Sequence, residues 1–132
     1  MKIIVVFALI ATVAAHEFYT TGNDRLDMDS LIANIPELQK FVDCFLERIT
    51  CTELTTTYKV ILEEAVKEAC HKCNPNQKHQ FWRFLEGLKV QLPEEYINFR
   101  HHYDPENKYF DALEKEISRY HSRDMDLLDS IV

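Results

Sequence analysis

The chain has 132 residues, with only 2 Gly and 4 Pro and a formal net charge of −7. That length allows one small domain and excludes a kinase, a two-domain dehydrogenase or a TIM barrel, while so few turn formers argue against an all-β protein built from hairpins. Hydrophobic residues at 46% exclude intrinsic disorder, and the acidic balance excludes a nucleic-acid binder or a polybasic membrane-surface binder, which need Lys and Arg to meet phosphate.

Met1 to Ala15 reads as a secretory signal: Lys2 precedes the apolar run Ile3 to Ala11, and small residues follow at Val13, Ala14 and Ala15. The run is shorter than the roughly 20 residues that span a bilayer. Cleavage after Ala15 removes 15 of the 132 residues, leaves 117 (residues 16–132), and takes the charge from −7 to −8 with the loss of Lys2. The expectation is a secreted, extracellular protein.

The rest of the chain predicts an all-α single domain of about six helices over residues 16–120. Asp27 is placed to cap a short first helix, Met28 to Asn34. Pro36 opens the second, whose stripe is Leu38, Phe41, Val42, Phe45, Leu46 and Ile49, with Cys44 inside it. Thr52 caps the third, with Leu54, Tyr58, Ile61, Leu62, Ala65, Val66 and Ala69 on its apolar face, ending near Cys70. Asn74 caps and Pro75 starts the fourth, with the stripe Phe81, Leu85, Leu88 and Leu92 broadened by Trp82 and Phe84. Steps of one and two residues diverge on a helix, so this helix either meets neighbours on two sides or lines a cavity. Pro93 opens the fifth, with Tyr96, Phe99 and Tyr103, and Asp104-Pro105 breaks it and starts a sixth with Tyr109, Phe110, Leu113, Ile117 and Tyr120. Residues 121–132 form an acidic tail.

The four cysteines, Cys44, Cys51, Cys70 and Cys73, follow C-x6-C-x18-C-x2-C. An even count in a short secreted chain implies disulfides, and four cysteines allow three connectivities. The local pairing, Cys44–Cys51 and Cys70–Cys73, closes short loops with little tertiary rearrangement and is the one expected. Zinc fits less well, because only the second pair has knuckle spacing and secretion favours oxidation. A redox C-x-x-C at Cys70 fits less well too, since it falls at a helix end where the dipole has the wrong sign to activate a thiol.

No catalytic or metal constellation emerges. His101 and His102 are adjacent and point to different sides of a helix, as do the pairs Glu63-Glu64 and Glu94-Glu95. His16, as a mature N-terminus, has nitrogens that suit copper, but the cleavage site alone explains its position. The expectation is no enzyme activity and no cofactor.

Several stretches carry a family resemblance. The cysteine spacing, the leader and the helical pattern together resemble the insect chemosensory proteins, the OS-D or ejaculatory-bulb-protein-like family. Tyr19-Thr20-Thr21 and Leu26-Asp27-Met28-Asp29, running into Leu31-Ile32, look like its YTxKYDNxDxDEIL segment; Phe41-Val42-Asp43-Cys44-Phe45-Leu46 looks like YVxCLL; Pro93-Glu94-Glu95 and Tyr103 to Tyr109 look like PEEW and YDPxGKY. The chain is identified as a divergent member: the family's KYDN is Gly22-Asn23-Asp24-Arg25, putting Asn23 where the tyrosine near the channel entrance stands, the Trp after PEE is Tyr96, and Ile49-Thr50 replaces a Gly-Pro.

The resemblance implies six helices, two local disulfides and an apolar channel for long-chain or aromatic semiochemical-like compounds. The expected function is a secreted carrier of small apolar, fatty-acid-like or aromatic ligands, with the channel lined by Phe45, Leu46, Ile61, Leu62, Val66, Trp82, Leu85 and Tyr96. A Tyr hydroxyl or the Trp82 indole N–H is the expected contact for a polar head group. The expected protein is monomeric, binds no nucleic acid and is not membrane-embedded; the sequence identifies no membrane receptor. The alternative is a secreted interaction or signalling factor with a filled core.

Overall fold

The computed structural model describes residues 17–21 and 26–122. The expected leader, the segment 22–25 with Asn23, and the tail from 123 lie outside the described residues. Among the described residues six helices follow one another: α1 Met28–Ala33, α2 Ile35–Phe45, α3 Glu53–Lys67, α4 Pro75–Gln91, α5 Pro93–Tyr103 and α6 Phe110–Ser118. Among the described residues there is no strand.

The starts of these helices are written locally. Asp27 accepts from the Ser30 N–H at 3.1 Å, Thr52 from Thr55 at 3.1 Å and Asn74 from Gln77 at 2.8 Å, each satisfying a donor that the first turn leaves open. Asn34, expected inside the first helix, instead caps the next one through the Glu37 N–H. Pro36, Pro75 and Pro93 stand in first turns, where a missing N–H costs nothing.

The ends differ from expectation in three places. Helix α2 stops at Phe45, because Glu47 takes the left-handed conformation (φ 63°), so Ile49 is 47% exposed rather than on the core stripe. Ala69 and Cys70 do the same (φ 51° and 58°), ending α3 at Lys67. The last helix begins at Phe110 rather than at Asp104-Pro105, because 104–109 forms a loop with Asn107 at φ 55°. Asn107 stands where the family pattern YDPxGKY has glycine.

Both disulfides are local: Cys44–Cys51 joins the end of α2 to the approach of α3, and Cys70–Cys73 closes the α3–α4 corner, each with a Cα–Cα distance of 5.0 Å. At the centre sits Phe99 of α5, fully buried, with the rings of Phe45, Phe81, Phe84, Tyr103 and Phe110 around it at 4.9–6.5 Å. The α5 N-terminus is tied to the end of α2 by a two-pronged ion pair, Arg48 to Glu95 at 2.6 and 3.0 Å. Hydrogen bonds from Arg48 hold the Glu95 carboxyl at about 2, against the opposing push of burial, with further help from Asn98 and Gln39.

Helix α1 lies against α4 as closely as Gly87 permits. A Cβ there would stand 2.6 Å from both Cδ1 and Cγ1 of Ile32 and 3.1 Å from Cγ2. Helix propensity favours Ala over Gly by about 0.8–1.0 kcal/mol, but overpacking a filled site costs about 1–3 kcal/mol. Gly87→Ala is therefore expected to lower stability by up to about 2 kcal/mol in urea denaturation, because the β-branched Ile32 has little χ1 freedom to move aside. A raised denaturation midpoint would show that Ile32 yields at no cost.

An apolar cavity under an N-terminal strap

Four helices and one extended segment enclose a cavity of about 70 Å³. Its wall is Met28 of α1; Phe41 and Phe45 of α2; Tyr58, Ile61, Leu62 and Ala65 of α3; Cys73 at the α3–α4 corner; Gln77, Gln80, Phe81 and Phe84 of α4; and Thr21 and Leu26 from the N-terminal segment. On α3 and α4 these residues recur at steps of one, three and four, so each helix presents one arc to the cavity. Phe41, Phe45, Leu62 and Phe84 are buried, whereas Leu26, Tyr58, Ile61 and Phe81 are half-buried and mark the side nearer solvent.

The segment 17–21 is strapped across this site by hydrogen bonds. The Tyr19 N–H donates to the Lys72 carbonyl at 2.9 Å, and the Tyr19 hydroxyl donates to Glu64 at 2.6 Å. Gln77 receives the Asn74 N–H on its Oε1 at 3.0 Å and donates through Nε2 to the Tyr19 carbonyl at 3.0 Å and to the Thr21 hydroxyl oxygen at 3.4 Å. Gln80 donates to the Leu26 carbonyl at 3.2 Å. Two glutamines less than one turn apart on α4 thus pin the chain on both sides of 22–25. Burial, reinforced by the Glu64 carboxylate, pushes the Tyr19 hydroxyl well above its ordinary range. The Tyr19 hydroxyl in turn, then Lys72, holds the Glu64 carboxyl below its own.

Of the eight expected lining residues, Phe45, Ile61 and Leu62 are brought together on the wall; Leu46, Val66, Trp82, Leu85 and Tyr96 lie off it. Leu46, Val66 and Leu85 each follow a wall residue by one position, which turns a helical side chain by about 100°. Val66 and Leu85 are core, and Leu46 is half-buried just past α2. Trp82 likewise follows Phe81 and lies between the His79 and His121 rings, at 6.2 Å from each. Of the two expectations for this helix, Trp82 meets neighbours rather than the cavity. Tyr96 belongs to α5, which contributes nothing to the wall; its hydroxyl donates to Glu114 at 2.8 Å and its ring packs edge-on against Phe110.

Phe41, Tyr58, Ala65, Phe81 and Phe84 stood on the expected apolar stripes, so their periodicity was readable, though not which arc faced the cavity. Thr21, Gln77 and Gln80 carried no such signal: they are polar, and only the crossing of the strap over α4 buries them. Among the described residues no three His, Cys, Asp or Glu side chains group as a metal site, and no helix is long and apolar enough to cross a membrane.

Comparison with known proteins agrees with this architecture. The model of the insect pheromone-binding family A10/OS-D matches residues 19–111. The Drosophila melanogaster ejaculatory bulb-specific protein 3 is 27% identical over 111 residues, spanning 83% of this chain and 88% of that protein. A chemosensory protein solved in complex with bromo-dodecanol superposes with a TM-score of 0.67 at 29% identity, covering 74% of this chain and 97% of that one. The antennal chemosensory protein A6 of the moth Mamestra brassicae superposes with a TM-score of 0.58 at 27% identity, covering 86% and 97%.

Proposed function

The chain belongs to the insect pheromone-binding family A10/OS-D, and from that membership we propose that it is a secreted carrier that takes a small apolar ligand out of water into the cavity beneath the strap. The observation that carries this reading is a wall of phenyl and aliphatic side chains around unfilled space, in a family whose solved relative holds bromo-dodecanol. Burial of each methylene contributes about 0.8 kcal/mol, so a chain of about twelve carbons gains roughly 10 kcal/mol gross. Lost translation and chain ordering offset several kcal/mol of that, giving an expected micromolar affinity. A cavity of about 70 Å³ has room for only roughly five water molecules. A twelve-carbon chain therefore enters by moving the wall outward, and the half-buried Tyr58, Ile61 and Phe81 are the side chains placed to move.

The test is displacement of the fluorescent probe N-phenyl-1-naphthylamine from the oxidised protein. Micromolar displacement by long-chain compounds is expected. Ala65→Leu adds three carbons at a wall position that is 1% exposed, and is expected to weaken probe binding by about tenfold while the fold is kept, since filling a void removes space without opening a cavity. Trp82→Ala, off the wall, is expected to leave affinity unchanged. A folded protein that takes up no probe would favour the interaction-factor reading instead.

A further inference from the structure

Among the described residues, every wall residue of the cavity stands on a helix or at the disulfide-closed α3–α4 corner, except Thr21 and Leu26. Moving a helix disturbs core packing along its length. Moving an extended strap breaks a handful of hydrogen bonds, and segments with few buried contacts open at the lowest cost. In residues 17–21 only Thr21 is buried and Tyr19 half-buried, while Glu17, Phe18 and Thr20 are exposed. The strap is therefore the part of the enclosure that lifts most readily, and Thr21 leaves the wall with it.

Tyr19 fastens the strap. Its N–H, its carbonyl and its hydroxyl each go to a different anchor: the Lys72 carbonyl at the corner, Gln77 Nε2 on α4 and the Glu64 carboxylate on α3. The corner is a fixed post, because the Cys70–Cys73 bridge closes it and both cysteines are buried. The bond to Glu64 is the strongest of the three, short at 2.6 Å and made to a charged acceptor. It also stands at the edge of the fold, with the Glu64 side chain 43% exposed and paired with Lys72 Nζ at 3.2 Å. When the strap lifts, water replaces the hydroxyl there and the carboxylate keeps its cation.

We infer that residues 17–21 are a lid over the cavity and that the Tyr19 hydroxyl on Glu64 is its latch: the ligand enters and leaves when the strap lifts, and the latch sets how often it does. The inference rests on the carrier reading above. Tyr58, Ile61 and Phe81 make room for the ligand, and the strap gives it passage. A latch that closes alike over the empty and the loaded cavity scales entry and exit by one factor, so it acts on the rates and leaves affinity alone.

The deciding experiment is stopped-flow binding of N-phenyl-1-naphthylamine to the oxidised protein at pH 7, with hydrogen exchange of the residue 19 amide followed by NMR. Tyr19→Phe removes the hydroxyl and keeps the ring. It is expected to raise association and dissociation rates alike by about three- to tenfold, to leave Kd within about twofold, and to speed exchange of the residue 19 amide by a similar factor. Glu64→Gln, which keeps an acceptor without its charge, is expected to act in the same direction and less. Lys72→Gln removes the side-chain cation but not the carbonyl that receives the strap, and is expected to leave both rates as they are. Faster amide exchange with unchanged binding rates would overturn the lid, since the probe would then pass elsewhere, and would leave the carrier standing. A changed Kd at an unchanged association rate would put Tyr19 to work in the bound state and overturn the latch, as would a Tyr19→Phe protein that matches the native one in every reading. A folded native protein that takes up no probe would overturn the carrier reading and the lid with it. If Tyr19→Phe does not fold, Glu64→Gln decides by the same rates.

Discussion

Phe99→Ala is expected to cost about 3–5 kcal/mol of folding stability, the range for removing a buried aromatic. Phe99 is 0% exposed, and five other aromatic rings surround it, most of them edge-on. Such pairs add about 0.5–1.5 kcal/mol beyond the area they bury, so the loss belongs at the upper end of that range. Four of these rings come from three other elements, Phe45 from α2, Phe81 and Phe84 from α4, and Phe110 from α6, and the fifth, Tyr103, stands one turn on in α5 itself. None can collapse into the gap without moving its helix. At about 4–8 °C per kcal/mol for a domain of this size, the melting temperature should fall by at least about 12 °C. Phe99→Leu, which retains most of the volume, should lose much less. A loss below about 1.5 kcal/mol for the alanine variant would mean that the neighbouring phenyls close the gap, and that the bundle is softer than its packing shows. Phe45, Phe81 and Phe84 also belong to the cavity wall, so Phe99 backs the binding site, and its removal should also raise probe uptake relative to the native protein.

The second large effect is expected at Asp104, in the loop that turns α5 into α6. Its carboxylate is 3% exposed and accepts three backbone N–H groups, from Lys108 at 2.8 Å and from Tyr109 and Phe110 at 2.9 Å. The Tyr109 and Phe110 N–H groups are donors that the start of a helix leaves open, the Lys108 N–H belongs to the loop before it, and α6 has no other side-chain cap. Asp104→Ala strands the buried Phe110 N–H and the part-buried Lys108 and Tyr109 N–H groups and is expected to cost about 2–4 kcal/mol, since each buried unsatisfied group costs about 1–3 kcal/mol and the exposed part of the loop can open to water. Burial pushes the Asp104 carboxyl up, but the three N–H groups, joined by the charge of Arg100, outweigh it and hold the carboxyl below its ordinary 3.8. A lowered folded value fixes the sign. The contribution is fully present above the ordinary carboxylate range and is lost as pH falls below about 4 through the folded value. In urea denaturation the gap between native protein and Asp104→Asn should therefore be wide at pH 7 and narrow at pH 3. A gap that does not change between those conditions would mean that shape rather than charge holds the loop. Because Phe110 both receives this cap and packs on Phe99, the Phe99 and Asp104 variants should not be additive.

Much of the fold was legible because its determinants lie close together in the chain. The caps at Asp27, Thr52 and Asn74 need only a residue and the N–H three positions on. The prolines mark first turns, and both disulfides join cysteines at separations of seven and three. The periodicity of Phe41 and Phe45, of Ile61 and Leu62, and of Phe81 and Phe84 marked the buried faces. Helix ends were less legible, since the left-handed residues Glu47, Ala69 and Cys70 are not glycines and gave no warning in the sequence.

The binding site divides along the same line. An apolar stripe says that a residue is inside, and by itself the sequence determined that for Phe45, Ile61, Leu62, Val66 and Leu85 alike. Which of these meets a void and which meets a neighbour differs by one residue, about 100° of helix rotation, and depends on where the other helices lie. Gly87 sets one such placement by letting α1 approach α4. The polar wall was beyond any local pattern, because Thr21 and Gln77 stand 56 residues apart, and Leu26 and Gln80 stand 54 apart. Only the passage of the N-terminal strap over α4 brings these groups together, and it does so through hydrogen bonds between distant segments that no window of sequence contains.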